Sequence, residues 1–265
     1  MPSPLRIAVF ECDGPFGELM KRYSYGGKEY GICGMLFKRL LDAGASKLEV
    51  ESGLYKRPNI VISSYDVVNK QEYPEVEKID AVFVSGSRYD SFAPGDNNWI
   101  LNLVTFIKTL LQTQSRVKVI GVCFGHQVIG RAYGVMPIRN PLGWEISVTP
   151  ITLTERGKRV FGRDSLKLHQ MHRDIIPHYP LSDSVSVEPL GSSTHCAVQF
   201  IYIQNRVLSL QGHPEYDCGL ATQILDRRRG VAIDEAMYRE GMDRVGDAHD
   251  GGVVGVGFLR FLMED

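Results

Sequence analysis

Apolar residues in this chain gather in two kinds of stretch. Some are short, β-branched runs that read as strands; in others they recur at the three-to-four-residue spacing of a helix face. Residues 5–10 make the first run, closed by the turn sequence Glu11-Cys12-Asp13-Gly14-Pro15. Residues 29–43 carry Ile32, Met35, Leu36, Leu40 and Leu41 at helical spacing, with Gly44 as a cap just past the end, and predict the first crossover helix. The stretch 47–58 reads either as a polar insertion or as an extra strand. Residues 59–65 and 80–85 predict the second and third strands. Between 99 and 112 an amphipathic helix turns Leu103, Phe106, Ile107 and Leu110 to the core.

Residues 117–134 organise the rest. An apolar run with no charge after Lys118 predicts a buried strand, and the segment after Gly125 a short helix that stops at Gly134. Downstream, 146–153 alternates as a strand, and residues 154–157 begin a short helix or turn. Residues 184–187 and 195–203 predict strands of a hairpin joined at 191–193, feeding a last strand before His213. Residues 218–230 and 233–245 read as helices, 246–257 as a glycine-bearing loop, and 258–263 as a last apolar turn. The glycines at 252, 255 and 257 lack a preceding strand and a downstream acid, so they are no dinucleotide fingerprint.

Chemistry is concentrated at the joint in 117–134. Gly121 and Gly125 flank Cys123 in a G-x-C-x-G pattern, the thiol counterpart of the nucleophile elbow, where a sharp strand-to-helix turn exposes the nucleophile. A helix N-terminus there favours the thiolate relative to a free cysteine of pKa about 8.5. Alone, such a cysteine reads equally as a packed structural thiol. A second stretch, Gly212-His213-Pro214-Glu215, changes that reading. Pro214 keeps the chain extended, so His213 and Glu215 project the same way, a base and the carboxylate that orients it.

The runs Val122-Cys123-Phe124-Gly125-His126-Gln127 and Gly212-His213-Pro214-Glu215, in that order, resemble the two signatures of the class I glutamine amidotransferase family, of the Cys–His–Glu type. Residues 80–87 and 140–145 fit as well, so the likeness spans residues 5–225. It is strongest to stand-alone members similar to the amidotransferase domain of GMP synthase. The resemblance implies an α/β fold: a flavodoxin-like doubly wound, mostly parallel sheet with the nucleophile elbow at its carboxyl edge, plus a small antiparallel element. It implies a catalytic set of Cys123, His213 and Glu215, and an oxyanion hole from the N–H groups of Gly86 and Phe124. It also places Gln127 at the amide end of the substrate, and His172 and Asp174 on a loop lining the glutamine pocket. Residues 1–230 form the amidotransferase-like domain and 231–265 a helical extension packed on it.

Several residues invite other readings. His169, His172 and His178 with Asp174 suggest a metal, but no ligand set at zinc-like spacing follows, and none is assigned. Residues 85–91 are one residue too long for an S-G-G-x-D-S phosphate loop, a coincidence. Cys12 reads as an incidental buried thiol. Arg227, Arg228 and Arg229 complement a helix C-terminus and read as a solvated end, with a dock for an acidic partner as the sharper alternative.

Composition narrows the class. The 265 residues are 43% hydrophobic and 23% charged, an ordinary globular mix with ample material for a core. A net charge of −1 does not favour nucleic acid. Five scattered cysteines without C-x-x-C spacing argue against a disulfide framework and fit a reducing compartment. The N-terminus enters a strand at once and no apolar run approaches the roughly 18 residues of a membrane span, so a soluble, cytoplasmic protein is expected.

The expected reaction is hydrolysis of the γ-carboxamide of glutamine, or of a related γ-glutamyl amide, through a cysteine thioester and without cofactor or metal. No G-x-x-x-x-G-K loop is present, so ATP-dependent amination would fall to a separate synthetase or acceptor-bearing enzyme. Two alternatives stand beside that: a γ-glutamyl peptide hydrolase acting alone in specialised metabolism, and a non-catalytic binding or stress-response module of the same fold.

Overall fold

In the computed structural model, residues 4–13, 31–52, 58–92, 98–181 and 185–264 are described. Residues 14–15 of the expected turn, 29–30 of the expected first helix, 53–57 of the ambiguous stretch and residue 184 of the expected hairpin lie outside them.

The elements run β1 (Leu5–Glu11), α1 (Ile32–Ser52), β2 (Ile60–Asp66), β3 (Ala81–Val84), α2 (Asn98–Thr113), β4 (Lys118–Val122), α3 (Phe124–Ala132), β5 (Ile138–Arg139) and β6 (Glu145–Leu153). They continue as α4 (Glu155–Phe161), β7 (Ser165–His172), β8 (Asp174–Ile175), β9 (Gly191–Ser192), β10 (Phe200–Ile203), β11 (Val207–Leu210), α5 (Cys218–Arg228), α6 (Glu235–Arg244) and α7 (Gly251–Leu262).

Six strands form one sheet in the order β10-β11-β4-β3-β1-β2, all parallel except β10, which pairs antiparallel with β11. The chain leaves β1 toward β2 and then crosses back to β3 on its other side, the flavodoxin-like, doubly wound order. Central strands are buried on both faces, which is why they read as continuous apolar runs. On β1, Ile7 and Val9 pack with Phe37, Leu40 and Leu41 of α1 and with Val254 and Phe258 of α7. Ala8 and Phe10 face the other way, into Ile100 and Leu103 of α2 and Val128 and Ile129 of α3.

Beside this sheet lies the small antiparallel element. β6 pairs with β7 from Glu145 opposite His172 to Thr152 opposite Ser165, and β9 adds to the far end of β6. β5 pairs with β8, setting Arg139 opposite Asp174. Ile146 and Met171 of this ladder pack on Leu220 and Ile224 of α5, a third cluster beside the carboxyl edge of the main sheet.

Several elements differ from the sequence reading. Residues 47–52, read as a polar insertion or an extra strand, continue α1, and His172 and Asp174, expected on a loop, end β7 and begin β8. Gly44 does not cap α1 but sits inside it, because a Cβ there would stand 2.7 Å from the backbone carbon of Gly255. The expected loop at 246–257 is largely α7, ten of whose residues are buried; Gly251, Gly255 and Gly257 are contact points rather than breakers, and Gly252 is exposed. Of the expected hairpin across 184–203 a single antiparallel bridge, Glu188 with Tyr202, forms among the described residues: Ser193 Oγ accepts from the N–H groups of His195 and Cys196 in a turn, and Gly191 fits against Thr152 O on β6, where a Cβ would stand at 2.7 Å. Only Phe200–Ile203 remains as a strand of the main sheet.

Candidate active site

Cys123 follows β4 directly and has φ 53° and ψ −104°, a conformation that costs a non-glycine residue about 1–3 kcal/mol and needs support from its surroundings. The support is visible. Cys123 N–H donates to Leu210 O on β11 at 2.9 Å, and Gly125 N–H to Ser85 O at the end of β3 at 3.1 Å. A Cβ on Gly125 would lie 2.1 Å from Val84 O, and one on Gly121 would lie 2.7 Å from the backbone of Gly125. Both glycines are therefore demanded by the sharpness of the turn.

β11 delivers the second half. After Gly212, His213 N–H donates to His169 O at 2.8 Å, tying the segment to β7. Glu215 Oε1 lies 2.8 Å from His213 Nδ1, both side chains are buried, and the imidazole stacks on Tyr216 with centroids 3.9 Å apart. A Cβ on Gly86 would stand 2.8 Å from His213 Cε1 and 3.8 Å from Cys123 Cβ, so this second residue past β3 leaves the gap in which imidazole and cysteine meet. Burial pushes the His213 imidazole down, but the Glu215 carboxylate and the Cys123 sulfur outweigh it and raise its pKa to about 10.

A polar layer backs the sulfur. Gln211 Nε2 lies 3.5 Å from Cys123 Sγ, while Gln211 Oε1 accepts from Gln127 Nε2 at 3.1 Å. Gln127 Nε2 also donates to Asp174 O at 2.9 Å. His172 Nε2 lies 2.9 Å from Glu145 Oε2, and Gln199 Nε2 donates to the same carboxylate oxygen at 3.1 Å. Asp174 sits 2.8 Å from Arg139 in an ion pair that lacks hydrogen-bond alignment. Burial lifts its carboxyl to about 6 although Arg139 pulls the other way.

Two cavities meet here. One, of about 220 Å³, is lined by Cys123, Phe124, Gln127, Arg139, His172 and Asp174 among others. The other, of about 60 Å³, holds His213, Glu215 and Tyr216 against Ile32, Leu36 and Leu220. Every residue of the expected catalytic set, oxyanion hole and substrate pocket thus lines one or both. Gln211, Tyr216, Glu145 and Arg228 join the site beyond the residues the sequence points to. Gln211 and Tyr216 flank the Gly-His-Pro-Glu run, and proximity is the available signal; Glu145 ends the 140–145 stretch of the resemblance, and Arg228 is brought in by tertiary structure alone.

Other candidates go elsewhere. His178 is exposed and faces Tyr179 O, and His169 lies against His249, so the three histidines diverge. Cys12 is buried, its thiol pushed up by burial, with its N–H on Ser85 Oγ. The arginine run does not form a uniformly solvated end: Arg229 pairs with Glu235 at 2.7 Å, whereas Arg228 turns to the site.

The Glutamine amidotransferase class-I family model matches residues 39–229, well over half of the chain and inclusive of the elbow and the His–Pro–Glu run. The chain belongs to the class I glutamine amidotransferase family. A glutamine amidotransferase-like protein of Schizosaccharomyces pombe is 32% identical over 263 residues, covering 97% of this chain and 98% of that one. Gamma-glutamyl peptidase 2 of Arabidopsis thaliana is 31% identical over 182 residues, 66% of this chain and 70% of that one. A solved glutamine amidotransferase from Thermotoga maritima superposes with a TM-score of 0.66 at 14% identity, covering 99% and 100%, which supports the shared fold. In this class I member the family match ends before α6 and α7. Among the described residues no helix is long and apolar enough to cross a membrane.

Proposed function

We propose that the protein is a cysteine-dependent amidohydrolase that cleaves the γ-carboxamide of glutamine or of a γ-glutamyl amide. The observation that carries this is the convergence of a strained Cys123, an imidazole held protonated by a buried carboxylate, and a polar cavity opening on the sulfur. Membership of the family and the likeness to a γ-glutamyl peptidase support the same bond as target.

The chemistry runs in two halves. Thiolate Cys123 attacks the γ-carbonyl carbon, and the oxyanion rests on the N–H groups of Gly86 and Phe124, each donor worth about 10² to 10³ in rate. Protonated His213, oriented by Glu215, gives its proton to the nitrogen as the C–N bond breaks, so the amine leaves neutral and a γ-glutamyl thioester remains. Water then loses a proton to His213 as it attacks the thioester carbonyl. Cleavage of the C–S bond releases glutamate and restores the thiolate–imidazolium pair. Gln127 and Gln211 keep the polar wall behind the sulfur fixed, and His172 and Asp174 shape the far end of the glutamyl pocket.

Incubation with a glutamine-like electrophile followed by peptide mapping tests the nucleophile. One adduct on Cys123 is expected, and Cys123→Ser, folded as judged by circular dichroism, releases no glutamate from glutamine or γ-glutamyl amides. Labelling confined to another cysteine, or turnover retained in the serine variant, overturns the assignment.

A further inference from the structure

Four arginines line the cavity that holds Cys123: Arg88, Arg139, Arg173 and Arg228. Two are neutralised within the fold. Arg88 lies 2.9 Å from Asp13, and Arg139 lies 2.9 Å from Asp90 and 2.8 Å from Asp174. Arg173 and Arg228 have no carboxylate partner among the described residues. Instead both guanidinium groups lie against the ring of Trp144, at 5.4 Å and 4.9 Å from its centroid. Arg173 Nε is buried without an acceptor, as is Trp144 Nε1. Stacking on an aromatic ring holds a guanidinium in place while leaving its edge N–H groups available, the arrangement that suits a carboxylate.

Free glutamine brings one carboxylate. A γ-glutamyl amino acid or peptide brings two, one for each of Arg173 and Arg228, which form no ion pair among the described residues.

Position separates the two arginines. The attacked carbon must lie at Cys123 and the departing nitrogen toward His213, which lines the second cavity. Arg173 lines only the cavity of Cys123, whereas Arg228 lines both. We infer that Arg228, braced on Trp144, binds a carboxylate carried by the amine half of the substrate, so that the preferred substrates are γ-glutamyl amino acids or peptides rather than glutamine. This rests on the hydrolase reading above. Arg173, which lines only the cavity of Cys123, is left to the α-carboxylate of the glutamyl half.

Two probes that differ only in the charge test this: γ-glutamylglycine and γ-glutamylglycinamide. With the wild type, kcat/KM is expected to favour the free carboxylate by about 30-fold or more. In Arg228→Gln the ratio falls to within about threefold, whatever happens to either absolute rate, and Arg228→Lys restores part of it because a point charge replaces the fork. Binding of both probes to the Cys123→Ala protein, measured by calorimetry, reads the subsite without turnover. A tenfold or greater preference for the acid that disappears on adding Arg228→Gln supports it. Equal affinities, or a preference that survives Arg228→Gln, overturn it. Discrimination in binding with no turnover of any γ-glutamyl compound by wild type sinks the hydrolase reading alone; turnover without discrimination sinks the carboxylate subsite alone.

Discussion

His213 carries a proton well into the alkaline range because Glu215 and the Cys123 sulfur outweigh the cost of its burial. Its pKa of about 10 lies above the unfolded value of about 6.5. The stability it contributes is therefore complete below about 6.5 and is lost as pH rises through about 10. The same titration should shape activity: the high-pH limb of kcat/KM is expected near 10, where the imidazolium that protonates the leaving nitrogen disappears. In Glu215→Gln the carboxylate that holds this proton is gone, so the limb moves down toward neutrality and the rate at pH 7.5 falls by about 10² to 10⁴. A pH–rate profile of both proteins checks this; an unmoved limb in the variant removes Glu215 from the role of orienter. The motifs make this part of the site readable before any coordinates, since a strained elbow needs small neighbours and a His-Pro-Glu run fixes its own geometry. Trp144 and Arg228 are invisible at that level. They come from the residue before β6 and the last residue of α5, 84 residues apart in the numbering, and nothing local to either announces that they will touch.

At the scale of elements, what the sequence conceals is the purpose of a glycine. The order of strands and crossover helices follows from apolar runs and helical spacing, because a strand buried on two faces leaves no other pattern. Glycine at Gly44 reads as a stop signal and in α7 as a loop, yet the residues that follow remain helical. Backbone contact between two helices explains it: Gly44 meets Gly255, Gly255 meets Leu40 O, and Gly257 meets the ring of Phe161. A substitution pair separates propensity from packing. Gly255→Ala puts a Cβ 2.7 Å from a backbone oxygen and should destabilise by about 1–3 kcal/mol despite the better helix former. Gly252→Ala, exposed and with nothing within 4 Å, should stabilise by up to about 1 kcal/mol. Urea denaturation of both reads the opposite signs; two stabilising substitutions would mean that α1 and α7 do not need this close approach.

For the whole molecule, the family match ends at residue 229, but the core does not. Val253, Val254, Val256, Phe258, Leu259 and Phe261 of α7 are buried in the same cluster as β1, β3 and β4. The carboxyl end of α7 is tied to β4, with Lys118 Nζ donating to Phe261 O at 2.8 Å, and its start is tied to β7 through Lys167 N–H on Asp250 Oδ2 at 2.8 Å. β4 is the strand that ends at Cys123, so α7 braces the elbow from behind. Removing residues 251–265 takes seven apolar side chains out of this cluster and uncovers the surfaces they pack on, each worth about 1.5–3 kcal/mol of burial. Their sum, on the order of 10 kcal/mol, is comparable to the whole stability of an ordinary domain of about 5–15 kcal/mol. A chain cut after Asp250 should therefore be insoluble or unfolded, even though Cys123, His213 and Glu215 are all retained. Circular dichroism and glutamate release on the truncated protein decide it. A cooperative melt with wild-type turnover would show that the parallel sheet stands without α7 and that the elbow needs no support from behind.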